Sequence, residues 1–441
     1  MILASISTSR FAKGVSIALF ALALLRFIAP LHYDPKAVAS RYPEAARVGY
    51  NFYQTGDWTN PFPPVDTGPT AHVAPAFPVL LATIYHIFGD GPRGKFAVDL
   101  LEAIALVLQV SLLPTLARSI GLPLSVGFIA EILAIACLKR DLWWEQSYVA
   151  LLLVIVTIAA GQYLRALELS GTRLSAGALK VSSRAATAAA VVGALWGLLL
   201  LTGPSTAFVW AGWLAAGAIY SWRCGIRFAW LPVLVLPLLM LAPWTWRNYQ
   251  ALGHPVLFRS DLGLELSMSN GDCFGCFSKN HPSVSPEQAR LVLALGEVNY
   301  NHMKLTQTLE WICHNQREFW RRTGMRFVGF WFHTEPIKEP KTGHFRNFFS
   351  SWILGAATIL SVPGMLLMWK PNRKAAWFCL GFLVLFPLIY YITNCEPRYR
   401  HPITWVTCVV AAYPLDFAFR RLRRARLSFE RLQGAESCAS D

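Results

Sequence analysis

Ten long apolar segments dominate this chain of 441 residues. A membrane span needs about 20 mostly apolar residues, because a helix rises about 1.5 Å per residue through a hydrocarbon core about 30 Å thick. The predicted spans are residues 14–30, 98–117, 122–138, 147–164, 186–201, 205–222, 228–243, 352–369, 375–393 and 402–419. Only helices and closed barrels satisfy their backbone hydrogen bonds in lipid. We therefore predict an all-α polytopic membrane protein with a bundle of about ten helices.

Charge sets the expected orientation of this bundle. Lysine and arginine are concentrated at Arg118, in the links 165–184, 223–227 and 370–374, and in the tail 420–426. Since cytoplasmic links carry an excess of basic residues, both termini are expected in the cytoplasm. The apolar segment Ala76–Phe88, at about 13 residues, is then predicted as a short helix at the membrane surface. The net charge of +15 comes largely from these links and does not indicate nucleic-acid binding.

This orientation also divides the chain into regions. They are a transmembrane core 1–243 with an outward loop at 31–97, an outward region 244–351, C-terminal transmembrane helices 352–419 and a basic cytoplasmic tail 420–441. A short link, 139–146, also faces outward. The N-terminus has no small-x-small cleavage site and is expected to remain as the first helix. Cys273 and Cys276 form a lone CxxC in the outward region, which favours a disulfide over a zinc site and leaves the redox state open.

Two acids of the first outward loop are candidates for chemistry. Glu44 opens the stretch PEAARVGYNFYQTG, whose apolar residues have helical spacing. A helix would hold this carboxylate rigidly near the membrane surface, as a catalytic base requires. Asp34 lies ten residues earlier and competes with Glu44 for this role. The alternative, that these acids are solvated loop charges, stays open.

Polar residues also occur in the other two outward segments. In the link KRDLWWEQSY, Glu145 is either a second pocket carboxylate or an ordinary charge beside an aromatic belt. In the stretch APWTWRNYQALGHPVLFRSDLGLELSMSN, Arg247 directly follows the end of a span. Arg259, Glu265 and Asn270 crowd the next turns of the same stretch.

The last span opens with the charged sequence EPRYRHP. Charges at the edge of hydrocarbon need a partner or a function. One interpretation is that Glu396 and an arginine form a pair that anchors the helix end. The other is that Arg398 and Arg400 have a function at this boundary.

Taken in order, these stretches resemble the GT-C glycosyltransferases, especially the bacterial family 39 type related to protein mannosyltransferases and the lipid A aminoarabinose transferase. The matching stretches follow one another along most of the chain and are PEAARVGYNFYQTG, PTAHVAPAFPVLLATIYHIFG, LWWEQ, GPSTAF, APWTWRNYQALGHPVLFRSDLGLELSMSN, GEVNY and EPRYRHP. The resemblance implies a GT-C bundle with juxtamembrane helices and one large extracytoplasmic loop. It also implies a polyprenyl-phosphate sugar donor and an active site on the extracytoplasmic face of a bacterial inner membrane. In such an enzyme the candidate ligands of the donor phosphate are Arg398, Arg400, Arg247 and Arg259, because an arginine fork meets phosphate oxygens bidentately. The candidate substrate contacts are Glu265, Asn270, Glu396, Tyr399 and His72.

Two positions depart from the family pattern. The family commonly has Asp-Glu at the first acidic site, where this chain has Pro43-Glu44. Its second-link acid is usually aspartate, and Glu145 is one methylene longer. His72 with Glu44 and Glu145 is a conceivable metal set, but a single loop histidine is weak support, so we predict no metal ligands while a divalent metal stays possible.

The expected function is the transfer of a sugar from the lipid-linked donor to an extracytoplasmic acceptor, with inversion implied by the family's usual course. Two other classes stay open. A transporter or flippase of lipid-linked sugars would favour inverted repeats and charges near mid-membrane. A non-catalytic protein of envelope assembly would tolerate replacement of any one outward carboxylate. The sugar, the acceptor and the oligomeric state are not readable from the sequence.

Overall fold

The computed structural model describes residues 10–38, 43–140, 144–171, 183–223, 230–272, 281–332 and 345–438. Cys273 and Cys276 lie outside these residues. Within them the chain forms helices and no named β-strand, and extended backbone pairs only in an isolated bridge between Thr59 and Pro69. The prediction of an all-α protein is confirmed for the described part of the chain.

The helices follow one another closely along the chain. They are α1 (Arg10–Phe27), α2 (Glu44–Thr55), α3 (Ala76–Phe88), α4 (Pro92–Ser111), α5 (Leu113–Ser119), α6 (Leu124–Cys137), α7 (Gln146–Gly171), α8 (Ser183–Thr202), α9 (Ala207–Arg223), α10 (Leu231–Leu252), α11 (Leu262–Ser269), α12 (Pro286–Leu295), α13 (Glu297–His314), α14 (Gln316–Phe332), α15 (Phe345–Trp369), α16 (Arg373–Leu385), α17 (Leu388–Ile392) and α18 (His401–Cys438). Short 3₁₀ turns at Pro204–Thr206 and Pro397–Arg400 precede α9 and α18.

By length and composition, five helical segments of the described chain suit a membrane span. They are Gln146–Glu168, Ser183–Thr202, Ser351–Trp369, Arg373–Ile392 and Pro397–Arg426. The pair α4–α5, bent by 42°, makes a sixth if it counts as one span. The helices α3 and α6 are apolar but shorter. A multi-pass architecture is therefore established, and the number of ten spans stays a prediction.

The first part of α18 forms the centre of the bundle. Residues 401–412 are all buried, and this helix packs against α6, α7 and α15. Gly364 allows α15 to cross α18 closely, because a Cβ at this position would lie 2.1 Å from the carbonyl oxygen of Val410. Lipid offers little hydrophobic drive for helix association, so such close backbone packing is what holds spans together. The 3₁₀ turn before α18 is thereby fixed at one end of the bundle.

Helix α2 is held beside α3 at its own close crossing. A Cβ on Gly49 would lie 3.0 Å from the carbonyl oxygen of Pro78. Ala46 and Val48 are fully buried in the cluster that α2 and α3 share, which also contains Phe77. The predicted helices at Glu44 and at Ala76–Phe88 are both confirmed, and their packing fixes the direction in which Glu44 leaves the first turn of α2.

Candidate functional site

Most of the residues that we predicted as functional lie in one group, called the charged cluster below. Its members are Glu44, Glu145, Arg259, Asp261, Glu265, Glu396, Arg398 and Tyr399, which interact electrostatically with one another. They come from α2, the link before α7, the loop after α10, α11 and the turn before α18. Segments more than 300 residues apart in the chain therefore meet at one place.

Arg259 is the cation of the cluster on the large-loop side. Its Nη2 lies 2.6 Å from Oδ2 of Asp261, and its Nε donates a 2.8 Å hydrogen bond to the carbonyl oxygen of His72. Burial lowers the pKa of Arg259, but the carboxylates of Asp261 and Glu145 outweigh it, so the net pKa lies above its ordinary value. The guanidinium therefore stays charged. Its hydrogen bond to the His72 carbonyl joins the segment around His72 to the loop after α10.

Arg398 is the cation on the bundle side. Its Nε lies 2.9 Å from Oε2 of Glu396 without being directed at it, which makes the contact an ion pair rather than a hydrogen bond. Its Nη2 donates to the hydroxyl of Tyr399 at 3.2 Å, and its Cζ lies 3.3 Å from the centroid of the Trp144 ring. The Tyr399 ring stacks in turn on Tyr390, with centroids 4.6 Å apart. Aromatic rings thus fix the guanidinium in one orientation.

Two acids of the cluster hold their protons unusually tightly. Burial, followed by the nearby carboxylate of Asp261, raises the pKa of Glu265 to about 7. Burial likewise raises the pKa of Asp261, against the lowering effect of Arg259, while the charges of Glu145 and Glu44 raise it further. A carboxyl group with a pKa near 7, as in Glu265, exchanges protons near neutral pH, a property concentrated in functional sites.

Glu44 lies beside a histidine that we did not predict as part of the site. Its Oε1 is 3.8 Å from Nδ1 of His281, and that nitrogen accepts a hydrogen bond from the backbone N–H of Ser283 at 3.2 Å. The ring proton is therefore on Nε2. Burial lowers the pKa of His281 even though Glu44 opposes the shift, so the imidazole is neutral at pH 7.

His72 is also neutral and lies in the same region. Burial, with the charge of Arg259 next, lowers the pKa of His72 well below its ordinary value. Its Nδ1 has no hydrogen-bond partner in the described part of the chain. Its ring centroid is 6.3 Å from that of His281 and 4.7 Å from that of Phe62. His72 contributes a neutral nitrogen and its backbone carbonyl, rather than a charge, to the site.

A cavity of about 160 Å³ adjoins the cluster on the other side of Arg398. We call it the basic cavity, because Lys139, Arg140, Arg398 and His401 line it. The hydroxyl-bearing residues Ser351 and Thr404 and apolar residues from the ends of α6 and α15 complete the wall. Nη1 of Arg140 and Nε2 of His401 are buried there without a hydrogen-bond partner among the described residues. Cationic side chains and unsatisfied nitrogen atoms in one cavity suit an anion.

Four predicted residues make other contacts. Arg247 donates to the carbonyl oxygens of Thr70 and Trp58 at 2.7 and 2.9 Å. Arg400, with 1% of its surface exposed, donates to the Trp331 carbonyl and the Thr358 hydroxyl.

The other two are Asn270 and Asp34. The amide of Asn270 donates to the Ile392 carbonyl at 2.8 Å, and its oxygen accepts from Arg326 at 3.1 Å. Asp34 is exposed, and its carboxylate accepts a 2.9 Å hydrogen bond from the backbone of Lys36. The functional roles proposed for Arg247, Arg400, Asn270 and Asp34 stay predictions, while their described contacts are those of residues that hold the fold.

Glu297 is a residue that the sequence did not single out. Its buried carboxylate accepts hydrogen bonds from the Thr70 hydroxyl, the Ala71 backbone N–H at 2.7 Å and the Ser260 hydroxyl at 2.6 Å. Burial raises its pKa even though these three bonds lower it. Glu297 thereby fixes the segments that carry His72 and Arg259. Its place in the GEVNY stretch was the available signal, but nothing in that pattern indicated a buried carboxylate.

No group of three or more His, Cys, Asp or Glu side chains in the described chain has the arrangement of a metal site. The conceivable set of His72, Glu44 and Glu145 is not gathered as one. Glu44 and Glu145 both act on Asp261, while His72 meets Arg259 through its carbonyl. The described side chains therefore offer no ready set of metal ligands, and a divalent metal stays a possibility rather than a part of the site.

The sequence matches no protein-family model, and it matches no curated protein. Solved structures do match. The oligosaccharyltransferase AglB of Archaeoglobus fulgidus, in complex with an inhibitory peptide and a dolichol-phosphate, aligns over 95% of this chain and 52% of its own at 15% identity and a TM-score of 0.54. Its apo form gives the same values. The chain thus spans about half the length of these structures.

A second protein, ArnT of Cupriavidus metallidurans bound to undecaprenyl phosphate, aligns over 92% of this chain and 78% of its own at 14% identity, with a TM-score of 0.35. The fold argument rests on the oligosaccharyltransferase alone. Its alignment extends over nearly the whole chain. The resemblance predicted from the sequence is confirmed at the level of the fold: this chain has the helical fold of the archaeal oligosaccharyltransferase AglB.

Proposed function

We propose that the protein is an integral-membrane glycosyltransferase that moves a sugar from a polyprenyl-phosphate donor to an acceptor. The observation that carries this proposal is the position of Arg398, which lines the basic cavity on one side and belongs to the charged cluster on the other. A sugar phosphate needs cations at its phosphate and a base near its anomeric carbon. Arg398 borders both of these environments with a single side chain.

The basic cavity is proposed as the site of the donor phosphate. Lys139, Arg140 and Arg398 supply positive charge, and the apolar wall from α6 and α15 continues toward the prenyl chain. As the bond between the anomeric carbon and the phosphate oxygen breaks, its electron pair stays on the phosphate. Cations fixed beside that oxygen stabilise the developing charge more than the ground state, which is what lowers a barrier.

The charged cluster is proposed as the acceptor side. Glu44 takes the proton from the acceptor's nucleophilic group as that group attacks the anomeric carbon from the face opposite the phosphate, so the configuration inverts. Its neighbour His281, with Nδ1 3.8 Å from Oε1 of Glu44, is neutral. Glu145 and Glu265 bind polar groups of the sugar or the acceptor. The reaction balances with sugar-bound acceptor, polyprenyl phosphate and one proton as products.

The fold supports a lipid-linked donor, since the matched oligosaccharyltransferase was solved with a dolichol-phosphate and a peptide. We propose further that the site faces the extracytoplasmic side of a bacterial inner membrane. The basic links and tail are expected on the other side. An amphiphilic donor reaches a site at the edge of the bundle by lateral diffusion, which explains why the cavity lies between α6, α15 and α18.

The test is incubation of the purified protein with a panel of polyprenyl-phosphate sugars and measurement of released polyprenyl phosphate. We expect release from at least one donor and at least about 100-fold less from Arg398→Ala. A flippase would instead move the donor across a vesicle membrane with no cleavage. Translocation of intact donor in proteoliposomes, with no released phosphate from any sugar, would contradict the proposed transferase.

A further inference from the structure

A second cavity, of about 250 Å³, lies toward the other end of α6. We call it the α1–α6 cavity, because Ser16 of α1 and Leu124 and Glu131 of α6 line it, with Ser111 and Arg118 from the bent pair α4–α5. The basic cavity is bounded instead by Cys137 and Leu138 at the opposite end of α6. The two cavities share no lining residue, so the α1–α6 cavity is separate from the proposed donor site.

Glu131 is the group in this cavity that needs an explanation. Only 1% of its surface is exposed, and no hydrogen bond or ion pair joins its carboxyl to another residue that the structure describes. The hydroxyl of Ser111 is also buried without a partner among those residues. An isolated carboxylate within hydrocarbon is costly unless it is paired, and such residues mark binding sites or ion paths. A ligand with a cationic donor group would pair both Glu131 and Ser111.

The α1–α6 cavity opens toward lipid rather than toward the charged cluster. Ile17 and Phe20 of α1, which line it, are 70% and 42% exposed, although they belong to the predicted span 14–30. Exposed apolar side chains on a membrane helix contact acyl chains. At the other end, exposed Arg118 lies in a link predicted to be cytoplasmic. A ligand that enters here would keep its apolar part in the bilayer and present a polar end to Glu131.

We propose that the α1–α6 cavity binds the headgroup of an aminophospholipid, with its ammonium at Glu131 and its phosphate toward Arg118. Helix α6 rises about 10 Å from Leu124 to Glu131. The Cα–Cβ bond of Glu131 tilts toward the N-terminus of α6 and so toward the end of the cavity that Leu124 lines. Both side chains line the cavity, so one headgroup can present its ammonium to Glu131 and its phosphate to Arg118.

A primary ammonium fits this wall better than the alternatives. It has three N–H donors, so it reaches the Glu131 carboxylate and still donates to the hydroxyls of Ser111 and Thr115, which also lines the cavity. A quaternary ammonium has the charge but no N–H group. A glycerol headgroup has hydroxyls but no charge to pair with a carboxylate. The lipid preference that follows is ethanolamine over both choline and glycerol headgroups.

The experiment is a lipid titration of the delipidated, purified full-length protein by native mass spectrometry. The probes are phosphatidylethanolamine, phosphatidylcholine and phosphatidylglycerol with identical acyl chains. We expect one phosphatidylethanolamine to bind at least about tenfold more tightly than either other lipid. The variant Glu131→Gln is expected to lose that preference. Glu168→Gln, which changes an exposed acid paired with Lys374 outside the cavity, is expected to keep it.

Ser111→Ala provides a second variant in case Glu131→Gln is not monodisperse. It removes one acceptor of the ammonium and is expected to weaken phosphatidylethanolamine binding about threefold without changing the other lipids. Equal binding of phosphatidylglycerol and phosphatidylethanolamine by the unmodified protein would overturn the proposal. Unchanged preference in Glu131→Gln, or in Ser111→Ala where Glu131→Gln does not fold, would do the same. None of these outcomes depends on transferase activity, so this proposal and the proposed function fail separately.

Discussion

Arg398 sits over Trp144, with its Cζ 3.3 Å from the centroid of the ring. The contact joins the start of the last span to the link before α7. A guanidinium over an indole is among the stronger cation–π pairs, contributing about 2 kcal/mol where water is scarce. Trp144 is therefore more than part of an interfacial belt, since it holds the cation that faces both halves of the site.

Arg398→Ala is expected to lower donor turnover by about 100-fold or more, because it removes a cation from the developing phosphate charge. Arg398→Lys is expected to recover only part of this loss, since a point charge lacks the bidentate fork. The measurement is released polyprenyl phosphate, with folding checked by monodispersity in detergent.

Arg400→Ala is the matched control for that series. Arg400 is two residues away but hydrogen bonds to Trp331 and Thr358 inside the bundle. Its loss is expected to lower the melting temperature, while the molecules that stay folded keep most of their turnover. Wild-type turnover and donor affinity in well-folded Arg398→Ala would make Arg398 a structural anchor.

Glu44→Gln is expected to reduce turnover by about 100-fold or more while expression and folding persist, because the amide keeps the shape and removes the base. Asp34→Asn is the control, since Asp34 is exposed and bonded to its own loop. It is expected to retain most activity. The reverse result, normal turnover in Glu44→Gln and loss in Asp34→Asn, would transfer the role of the base to Asp34.

The pH dependence of turnover is expected to include a step near pH 7 from Glu265. Burial, then the charge of Asp261, raises its pKa to about 7, so the group is protonated below this pH and gains its charge as the pH rises through it. If the ionised form binds substrate, turnover rises with pH across this range. Glu265→Gln is expected to remove the step, and a profile with the same step in this variant would assign it to another group.

Glu297→Ala is expected to lower the free energy of unfolding by about 3 kcal/mol, because it leaves a backbone N–H and two hydroxyls without their buried acceptor. Turnover is expected to fall as well, since His72 and Arg259 lose their fixed positions. Glu310→Ala, on the exposed face of the same helix, serves as the control and is expected to change stability by less than about 0.5 kcal/mol. Thermal unfolding in detergent measures the stability of both variants. Equal melting temperatures would show that the Glu297 carboxylate does not stabilise the fold.

The sequence predicted the helical class and the helices at Glu44 and Ala76–Phe88, because apolar length and spacing are local properties. It also named most of the charged cluster, since charges at the ends of spans are conspicuous. It did not indicate Trp144, His281 or Glu297, whose roles depend on contacts between segments far apart in the chain. It grouped Arg400 with Arg398 for the same reason. The two arginines are two residues apart, but the 3₁₀ turn directs the Arg398 guanidinium to the site and the Arg400 guanidinium into the bundle.

The three hydrogen bonds of Glu297 also order events during synthesis. Thr70 is made early, but its acceptor is 227 residues further along the chain. Until α13 has emerged and reached the same side of the membrane, the segment around Thr70 and His72 lacks this acceptor, even if α2 and α3 are already packed. The bundle can therefore be inserted helix by helix as the ribosome advances. The site, in contrast, is assembled only after most of the chain has left the ribosome.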